Sequence, residues 1–403
     1  MYIASMTDRL SPPLWQRDFT LIWAAQLILG LAFHSSLPAF PLLFEDRFGL
    51  SGLGLGAATL SYALAAVLMR PPAGFLVDRY GRRTIYLPGY LLFTLLYLAY
   101  PLADGAVSIT LVRFVHGALF GIVMGATNTA AVDLLPPERR GEGIGYFGMA
   151  MILGMAAGPA LGLLAIKYLG YDWLFRGAAL FSLLGFGLAL LLRFPDIPKS
   201  RLAFAPAALL EKTSLPGGLV ALVIALPFGA AVNYSGWFAR SVPGASAGTF
   251  YLLLALGTAL TRLFSGRMFD RNGPAAAMAW GYALLLAGCL ALAMSGISST
   301  FAYGPLFFNA GGLLLGLGYG VSMPIIQAMV NALVRPERRG AANATMMTCF
   351  DVGICLGLLL ASQLHASLGL AATYAALLGC VVFSALIFHL HALPRYRLDL
   401  GKY

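Results

Sequence analysis

Residues 74–87 read GFLVDRYGRRTIYL, which places one aspartate and three arginines between two apolar stretches. Only 10% of the 403 residues in this chain are charged, so a cluster of four charges at 78–83 is exceptional. Two glycines, Gly74 and Gly81, flank the aspartate. Because glycine permits tight turns and close approach of backbones, the stretch predicts a short charged turn between two closely packed helices.

The composition of the chain indicates a membrane protein. Hydrophobic residues make up 60% of the sequence, and the charged share is far below the roughly one quarter that is typical of soluble proteins. At about 20 residues for each membrane-spanning helix, the apolar runs predict an all-α membrane protein with twelve transmembrane spans. The runs do not show the apolar–polar alternation of a transmembrane β-barrel. The spans are predicted at residues 19–44, 52–77, 84–103, 107–134, 142–168, 173–193, 216–239, 246–268, 274–296, 302–333, 341–365 and 369–392.

The formal net charge is +10, and the distribution of the positive residues along the chain indicates a membrane topology rather than a nucleic-acid-binding surface. Most Lys and Arg residues fall in the two termini and in the loops after even-numbered spans, whereas Arg47, Lys167, Arg176 and Arg240 fall on the other side. Positively charged loops stay in the cytoplasm, so both termini are predicted to be cytoplasmic and the chain to lie in a bacterial-type cytoplasmic membrane. Anionic lipid head groups are expected partners of the basic face, and nucleic acid is not.

Two sequence motifs occur twice and divide the chain into parallel halves. RPPAGFLVDRYG at 70–81 returns as RLFSGRMFDRNG at 262–273, an offset of 192, and PERRG at 137–141 returns at 336–340, an offset of 199. Both motifs follow even-numbered spans, so six spans correspond to six, and parallel six-span repeats are a known transporter design. The predicted domains are a six-helix bundle at 1–193, a cytoplasmic linker at 194–215 and a second six-helix bundle at 216–403.

The repeated motif predicts a charged latch at the cytoplasmic ends of the helices. A carboxylate near a helix N-terminus, together with guanidinium partners, links neighbouring helix ends. Asp133 ends span 4 with Arg139 and Arg140 nearby, and is expected to join this network. Arg70 and Arg262 lie one turn before the repeated glycines and are expected to extend towards the cytoplasmic surface. The predicted gating residues are Gly74, Asp78, Arg79, Gly81, Arg82, Arg83, Arg70, Asp133, Arg262, Gly266, Asp270 and Arg271.

Three motifs resemble signatures of the major facilitator superfamily. GFLVDRYGRR at 74–83 resembles its cytoplasmic signature between helices 2 and 3. LVRFVHGALFGIVMGA at 111–126 resembles its helix-4 signature, with Arg113 as the intramembrane arginine, and GMAAGPALGLL at 154–164 resembles the helix-5 signature of the antiporter branches. The resemblance covers essentially the whole chain and implies two six-helix bundles that work by alternating access. The helix-5 signature residues are Gly154, Gly158, Pro159 and Gly162.

The antiporter signature implies export of a small amphiphilic molecule in exchange for protons. The branches that carry it include drug:proton exporters and exporters of sugars, amino acids and metallophores. Some of these drug exporters have an acidic residue in the middle of helix 1, but QLILGLAFHSSLPAF at 26–40 has none. Glu45 and Asp46 follow only at the periplasmic end of this span. A proton mechanism centred on span 1 is therefore disfavoured.

Two other functions are compatible with the sequence. A facilitator or proton symporter that imports a small sugar, organic acid or amino acid has the same fold, and only the helix-5 signature favours export over import. A non-transporting membrane receptor is the alternative of another class. The embedded charges Arg113 and Asp351 argue against it, because a scaffold has little use for charges in its membrane spans.

Ionisable groups inside membrane spans are energetically costly, so each suggests a function. Asp351 in span 11 is predicted to take up and release a proton or to pair with a cationic substrate; an interhelical hydrogen bond or an ion pair is the alternative. Arg113 is expected, by the resemblance, to lie near the proton path and to pair with a carboxylate or an anionic substrate, unless backbone carbonyls satisfy it. His34 and His116 are candidate proton relays or neutral hydrogen-bonding groups.

Polar and aromatic residues within the spans predict substrate contacts. Asn128 and Gln327 occupy equivalent places in the repeat, since 128 + 199 = 327. The family resemblance implies that spans 4 and 10 line a central cavity, where paired amides are natural substrate contacts. Helix–helix hydrogen bonding is the alternative role for such amides. The predicted substrate-binding residues are Asn128, Gln327, Tyr62, Asn233, Tyr234 and Asn331.

The sequence predicts a transporter rather than an enzyme. It contains no G-x-x-x-x-G-K-[ST] phosphate-binding loop, no H-E-x-x-H motif and no G-x-S-x-G motif. No metal or organic cofactor is implied. The expected partners are a small-molecule substrate, protons and membrane lipids, and each chain is expected to function as a monomer.

Overall fold

The computed structural model describes residues 13–37, 39–49, 52–200, 209–297 and 303–399. This described part consists of helices joined by turns and short loops, without a β-strand. The α-helices are α1 (Arg17–Ser36), α2 (Ala39–Phe48), α3 (Gly52–Tyr80), α4 (Arg82–Leu96), α5 (Ala106–Asp133), α6 (Arg140–Leu169), α7 (Tyr171–Leu190), α8 (Leu215–Ser241), α9 (Ala247–Ile297), α10 (Gly304–Ala332), α11 (Arg339–Ile387) and α12 (Leu393–Asp399).

The helices account for all twelve predicted spans once two bends are counted. Helix α9 contains a non-helical residue at Gly273 (φ 76°) and α11 contains one at Gly369 (φ 78°), so each helix covers two spans. Glycine adopts these positive φ values readily because it has no Cβ atom. Ten helical segments of the described part are long and apolar enough to cross a membrane. The second half of α9 and the shorter α4 supply the other two spans.

Two predicted spans differ from the observed helices in their boundaries. Span 1 is predicted as one helix, but α1 ends at Ser36 and α2 begins at Ala39. Position 38 is a proline, which has no N–H group to donate to a continuous helix. Span 3 is predicted to reach residue 103, but α4 ends at Leu96 and a 3₁₀ turn follows at Tyr97–Ala99.

The helices bury aromatic residues on one face and expose long aliphatic residues on the other. On α4, the side chains of Tyr86, Tyr90 and Phe93 are fully buried and are spaced three or four residues apart, which places them on one helix face. On the opposite face of α4, Leu92 is 51% exposed. Exposed leucines in such numbers are unfavourable in water but favourable in lipid, as expected of membrane-spanning helices.

The chain divides into two compact units. The first unit contains the spans of the first repeat together with the start of α11, and the second contains the spans of the second repeat together with the start of α6. Each of the charge networks described below lies within a single unit. The first unit comprises Met1–Pro137, Phe147–Leu210 and Pro336–Ala344, and the second comprises Glu138–Tyr146, Glu211–Arg335 and Thr345–Tyr403.

Within the second unit, α9 and α10 pack closely through glycines. A Cβ atom added at Gly316 would overlap the carbonyl oxygen of Leu254, and one added at Gly288 would lie 2.9 Å from the backbone nitrogen of Leu315. Small residues allow such close approach of membrane helices, where lipid removes the hydrophobic driving force for association. The core of this unit is therefore built on backbone contact between helices.

Candidate functional site

Asp78, at the end of α3, is buried against the first turn of α11. Its carboxylate accepts hydrogen bonds from the backbone N–H groups of Gly340 (2.9 Å) and Ala341 (2.8 Å), and its side chain is 0% exposed. The first N–H groups of a helix have no partner within the helix and carry partial positive charge, so a carboxylate is stabilised there. The contact joins the end of span 2 to the start of span 11 within the first unit.

A second carboxylate, Asp133 at the end of α5, completes a buried charge network. Arg82 donates from Nε to Asp133 (2.8 Å), and its Nη1 lies 3.3 Å from Asp78. Arg82 also donates to the carbonyl oxygen of Pro336. Arg339 donates from Nη1 to Asp133 at 2.5 Å, and no side chain of the four ionisable residues is more than 11% exposed. We refer to Asp78, Arg82, Asp133 and Arg339 as the buried latch.

The partners of Asp133 differ from the expectation. The sequence suggests Arg139 and Arg140, which follow Asp133 in the chain, whereas the structure pairs Asp133 with Arg82 and Arg339. Arg339 was not among the predicted gating residues. The second PERRG motif could have indicated Arg339 as a gating residue, because Arg339 is the equivalent of Arg140 in the repeat (140 + 199 = 339).

The geometry of this region requires both glycines, Gly74 and Gly81, of the charged motif at 74–87. A Cβ atom at Gly74 would lie 2.5 Å from the carbonyl oxygen of Gly340, so the two backbones meet where only glycine fits. Gly81 precedes the first residue of α4 and has φ 98°, a conformation that other residues rarely adopt. The glycines thus bring Asp78 to the start of α11 and turn the chain sharply into α4.

The repeat copy forms a more exposed network in the second unit. The carboxylate of Asp270 accepts a hydrogen bond from the backbone N–H of Glu142 at 3.2 Å, in the first turn of α6. Glu142 pairs with Arg139 and Arg267, each at 2.8 Å. Arg267 is 53% exposed and Arg139 is 27% exposed, so solvent screens this network more than the buried latch. We refer to Arg139, Glu142, Arg267 and Asp270 as the half-exposed latch.

The other predicted gating residues lie around these networks. Arg79 donates to the carbonyl oxygen of Ser200 at 3.4 Å. A Cβ atom at Gly266 would overlap the backbone of Glu142, which makes Gly266 the counterpart of Gly74. Four further arginines complete the set: Arg83 and Arg271 are exposed, and Arg70 and Arg262 are partly buried.

Arg113 is buried among aromatic rings in the first unit. Its side chain, in the third turn of α5, is 3% exposed. The guanidinium carbon lies 3.9 Å from the ring centre of Phe40 and 4.3 Å from that of Tyr62, which stabilises the cation. Nε and Nη1 of Arg113 have no hydrogen-bond partner among the described residues. The hydroxyl group of Tyr100 lies within hydrogen-bonding reach of the guanidinium.

The two candidate histidines have different surroundings. His116 follows Arg113 by three residues, and its Nδ1 forms a hydrogen bond of 2.9 Å with the hydroxyl of Tyr100. His34 forms a hydrogen bond of 2.8 Å between Nδ1 and the carbonyl oxygen of Gly30, one turn earlier in its own helix. The structure therefore brings His116, but not His34, into one polar group with Arg113 through a shared tyrosine.

Three signature glycines of α6 face α1 at successive turns. Within the first unit, a Cβ atom at any of the three would lie too close to atoms of α1 to be accommodated without movement. The predicted helix-5 signature therefore corresponds to a close crossing of two helices. The side chain of Pro159 lies outside the described part of the chain. The facing pairs are Gly154 with Gly30, Gly158 with His34 and Gly162 with Ser35.

Gly162→Ala is expected to lower the stability of the folded protein by about 1–3 kcal/mol, the usual effect of overpacking. The added methyl group would overlap the carbonyl oxygen of Ser35. Gly177→Ala is the matched control, because a Cβ atom there has open space around it within a helix of the same unit. Melting temperatures in detergent would measure both changes, and an equal result for the two variants would contradict the close crossing.

The predicted substrate-binding residues lie in separate helices of the two units. Asn128 donates from Nδ2 to the carbonyl oxygen of Met124 at 2.8 Å, and Asn331 does the same to Gln327 at 2.8 Å. Both amides therefore use a donor within their own helix. The side chains of Asn233 and Tyr234 lie outside the described part. Asp351, the proton-coupling candidate, is partly buried in α11, one turn before Cys355.

The family model described as Major Facilitator Superfamily matches the chain over residues 22–312 and 218–400. The chain belongs to the major facilitator superfamily. Its members are transporters rather than enzymes, so this protein is a multi-pass membrane transporter of small molecules.

Comparison with individual proteins agrees with this assignment. This chain is 26% identical over 402 residues to the multidrug resistance protein MdtG of Citrobacter koseri, with 95% of this chain and 96% of that protein covered. Its fold is similar to that of the human organic anion transporter MFSD10 (TM-score 0.79, 19% identity, 93% and 100% of the two chains covered). It is also similar to the proton:xylose symporter XylE (TM-score 0.74, 14% identity, 93% and 95% covered).

Proposed function

We propose that this transporter exports a small amphiphilic molecule across the cytoplasmic membrane in exchange for protons. The observation that carries the proposal is the similarity to a multidrug resistance protein along nearly the full length of both chains. The resemblance of residues 154–164 to the antiporter signature supports the same direction of transport. The two termini are proposed to be cytoplasmic, and each chain is proposed to work as a monomer.

Alternating access is proposed to depend on the two sequence halves, 1–193 and 216–403, joined by the linker at 194–215. The buried latch and the half-exposed latch lie at helix ends that the distribution of positive charge assigns to the cytoplasm. Charged contacts at those ends favour closure of the cytoplasmic side. Their rupture accompanies opening of the substrate path to the cytoplasm.

Proton coupling is proposed to involve Asp351 together with Arg113 and His116. A carboxyl group inside a membrane span is expensive when ionised, so protonation and substrate binding influence one another there. Arg113 and His116 share the Tyr100 hydroxyl as a neighbour, which supports a common polar group in the first unit. His34 is a weaker candidate, because its Nδ1 is bonded within its own helix.

Asp351→Asn is expected to abolish proton exchange driven by substrate while leaving the protein folded. Everted membrane vesicles with a pH-sensitive dye would report the collapse of a proton gradient when drugs, sugars, amino acids or metallophores are added singly. Wild type should respond to at least one compound, and Asp351→Asn should not. Asp104→Asn, at an exposed aspartate before α5, is the matched control and should behave as wild type.

An importer is the second candidate function, because the fold is also that of a proton:xylose symporter. Uptake of a radiolabelled solute by intact cells would distinguish it from an exporter. Such uptake, with no compound collapsing the gradient in everted vesicles, would overturn the export proposal.

A further inference from the structure

The cluster around Arg113 contains hydrogen-bond donors without acceptors. Nε and Nη1 of Arg113 and the hydroxyl of Tyr62 have no hydrogen-bond partner among the described residues, although all three atoms are buried. An unsatisfied buried donor is costly, and an unpaired buried cation is more so. The cluster is therefore incomplete with the side chains that the structure describes, and its missing component is an acceptor.

The arrangement of the rings leaves the edge of the guanidinium for that acceptor. Phe40 and Tyr62 pack on the guanidinium at 3.9 and 4.3 Å from its central carbon. A stacked guanidinium keeps its N–H groups in the plane at its edge, where they match the two oxygens of a carboxylate. Two cationic N–H groups of Arg113, on different edges of the guanidinium, and the phenol of Tyr62 are thus donors that lack an acceptor among the described residues.

The described carboxylates near this part of the chain already have other partners. Asp46 accepts a hydrogen bond of 2.6 Å from the hydroxyl of Tyr171, and Asp104 accepts one of 3.0 Å from Ser108. The side chain of Glu45 lies outside the described part, so the experiment must distinguish a ligand from this residue. A single guanidinium in apolar surroundings favours a monoanion over a dianion such as phosphate, because a second negative charge would be buried without a counter-charge.

The neighbouring rings suit an aromatic body attached to the anionic group. Tyr62 stacks on Phe33 (ring centres 5.7 Å apart) and contacts Phe120 (5.6 Å), and Phe33 stacks on Phe120 (4.5 Å). Phe33 and Phe120 are only partly buried, whereas Arg113, on which Tyr62 packs, is buried. An aromatic group packs on such rings in offset or edge-to-face geometry. The accessible rings and the buried cation together form an amphiphilic site.

We infer that Arg113, Tyr62 and the adjoining rings form a binding site for an aromatic monocarboxylate. This inference rests on the proposed function only for the transport of the ligand; binding itself is independent of it. The carboxylate accepts from one N–H of Arg113, at Nε or at Nη1, and from the Tyr62 hydroxyl, and the aromatic body packs on Phe33 and Phe120. The substrate class of the transporter is then organic anions with an aromatic group.

The test compares 4-phenylbutyrate with 4-phenyl-1-butanol, which have the same aromatic body and differ in charge. Binding to the purified full-length protein in detergent would be measured from the ligand-dependent shift in melting temperature. The butyrate should bind at least about tenfold more tightly than the alcohol, since charge-assisted hydrogen bonds are the strong ones. Arg113→Gln should remove this preference. Arg176→Gln, which affects an exposed arginine stacked on Trp173 at 5.0 Å, should retain it.

Tyr62→Phe keeps the ring on Arg113 and removes only the hydroxyl, so it tests the site even where Arg113→Gln does not fold. It should weaken binding of the butyrate several-fold and leave binding of the alcohol unchanged. Equal binding of the two probes by wild type would overturn the inference and would mean that Glu45 or another residue of this chain supplies the acceptor. An unchanged preference in Arg113→Gln or in Tyr62→Phe would also overturn it.

Transport in proteoliposomes separates this inference from the proposed function. Export of neutral or cationic amphiphiles with proton exchange, without preferential binding of the butyrate, would overturn the anion site and leave the proposed function standing. Preferential binding of the butyrate, without proton exchange for any compound, would support the anion site and count against the proposed function.

Discussion

Asp133→Asn is expected to destabilise the folded protein by about 3–5 kcal/mol, the typical effect of removing one partner from a buried ion pair. The side chain of Asp133 is 0% exposed and lies between two guanidinium groups, at 2.8 Å from Arg82 and 2.5 Å from Arg339. In wild type, the two carboxylates of the buried latch balance its two guanidinium groups. With an amide at position 133, the buried network has one excess positive charge. The resulting loss of stability would appear as a lower melting temperature in detergent.

A charge-balancing variant provides the control for this expectation. Arg339→Gln added to Asp133→Asn removes the guanidinium that pairs with Asp133 and leaves Asp78 with Arg82, so the double variant should recover part of the lost stability. Asp172→Asn breaks a pair with Arg47 in which both side chains are 44% exposed, and should change stability by at most about 1 kcal/mol. A double variant less stable than Asp133→Asn would contradict the charge-balance explanation.

Asp78→Asn is expected to shift the transporter towards the form that is open to the cytoplasm. The two N–H groups donate to different oxygens of Asp78, so the single amide oxygen of asparagine can replace only one of these acceptors and the amide NH2 faces the other donor. The charge that strengthens both hydrogen bonds is lost as well. Hydrogen bonds to charged groups contribute about 1.5–3 kcal/mol, which corresponds to a change of about 10- to 150-fold in the equilibrium between the two forms.

Alkylation of an introduced cysteine would measure this shift. The reporter is Asn128→Cys in span 4, placed in a background in which Cys289, Cys349, Cys355 and Cys380 are replaced by alanine. An impermeant thiol reagent added to everted vesicles should label the reporter faster when Asp78 is replaced by asparagine. Unchanged labelling would refute a role of Asp78 in closing the cytoplasmic side.

Asp270→Asn is the matched control, because Asp270 holds the equivalent position in the repeat. Asp270 is exposed and the arginines of its network are 27% and 53% exposed, so its charge is screened by solvent. Labelling of the reporter should therefore increase less with Asp270→Asn than with Asp78→Asn. A larger effect of Asp270→Asn would show that the half-exposed latch, rather than the buried one, controls access.

Much of the latch could be predicted from the sequence because its parts are close in the chain. Asp78 lies at the end of α3 and Arg82 is the first residue of α4, so the short connection between the two helices keeps the side chains close. Gly81, between them, indicates the turn. The importance of Arg339 could not be predicted in this way, since 206 residues separate it from Asp133.

The contacts of Arg113 with other helices could likewise not be predicted from the sequence. The position of Arg113 in an apolar span indicates a functional charge, and its spacing of three residues from His116 indicates a shared helix face. Its stacking on Phe40 and Tyr62, which come from two other helices, has no counterpart in local spacing. The sequence therefore suggests an anionic partner for Arg113, but the aromatic rings around it and its unsatisfied donors are features of the tertiary structure.

The sequence by itself determined the membrane class, the twelve spans and the two repeats, because a membrane requires long apolar helices and a duplication leaves matching motifs. It also identified Asp78 as the centre of a charged turn. Only the tertiary structure decided that Asp133 pairs with Arg82 and Arg339, and that one latch is buried while its repeat copy is half exposed. It also decided that Nε and Nη1 of Arg113 lack an acceptor among the described residues. The physical reason is that side-chain spacing reports neighbours within a helix, whereas burial and pairing depend on which helices pack together.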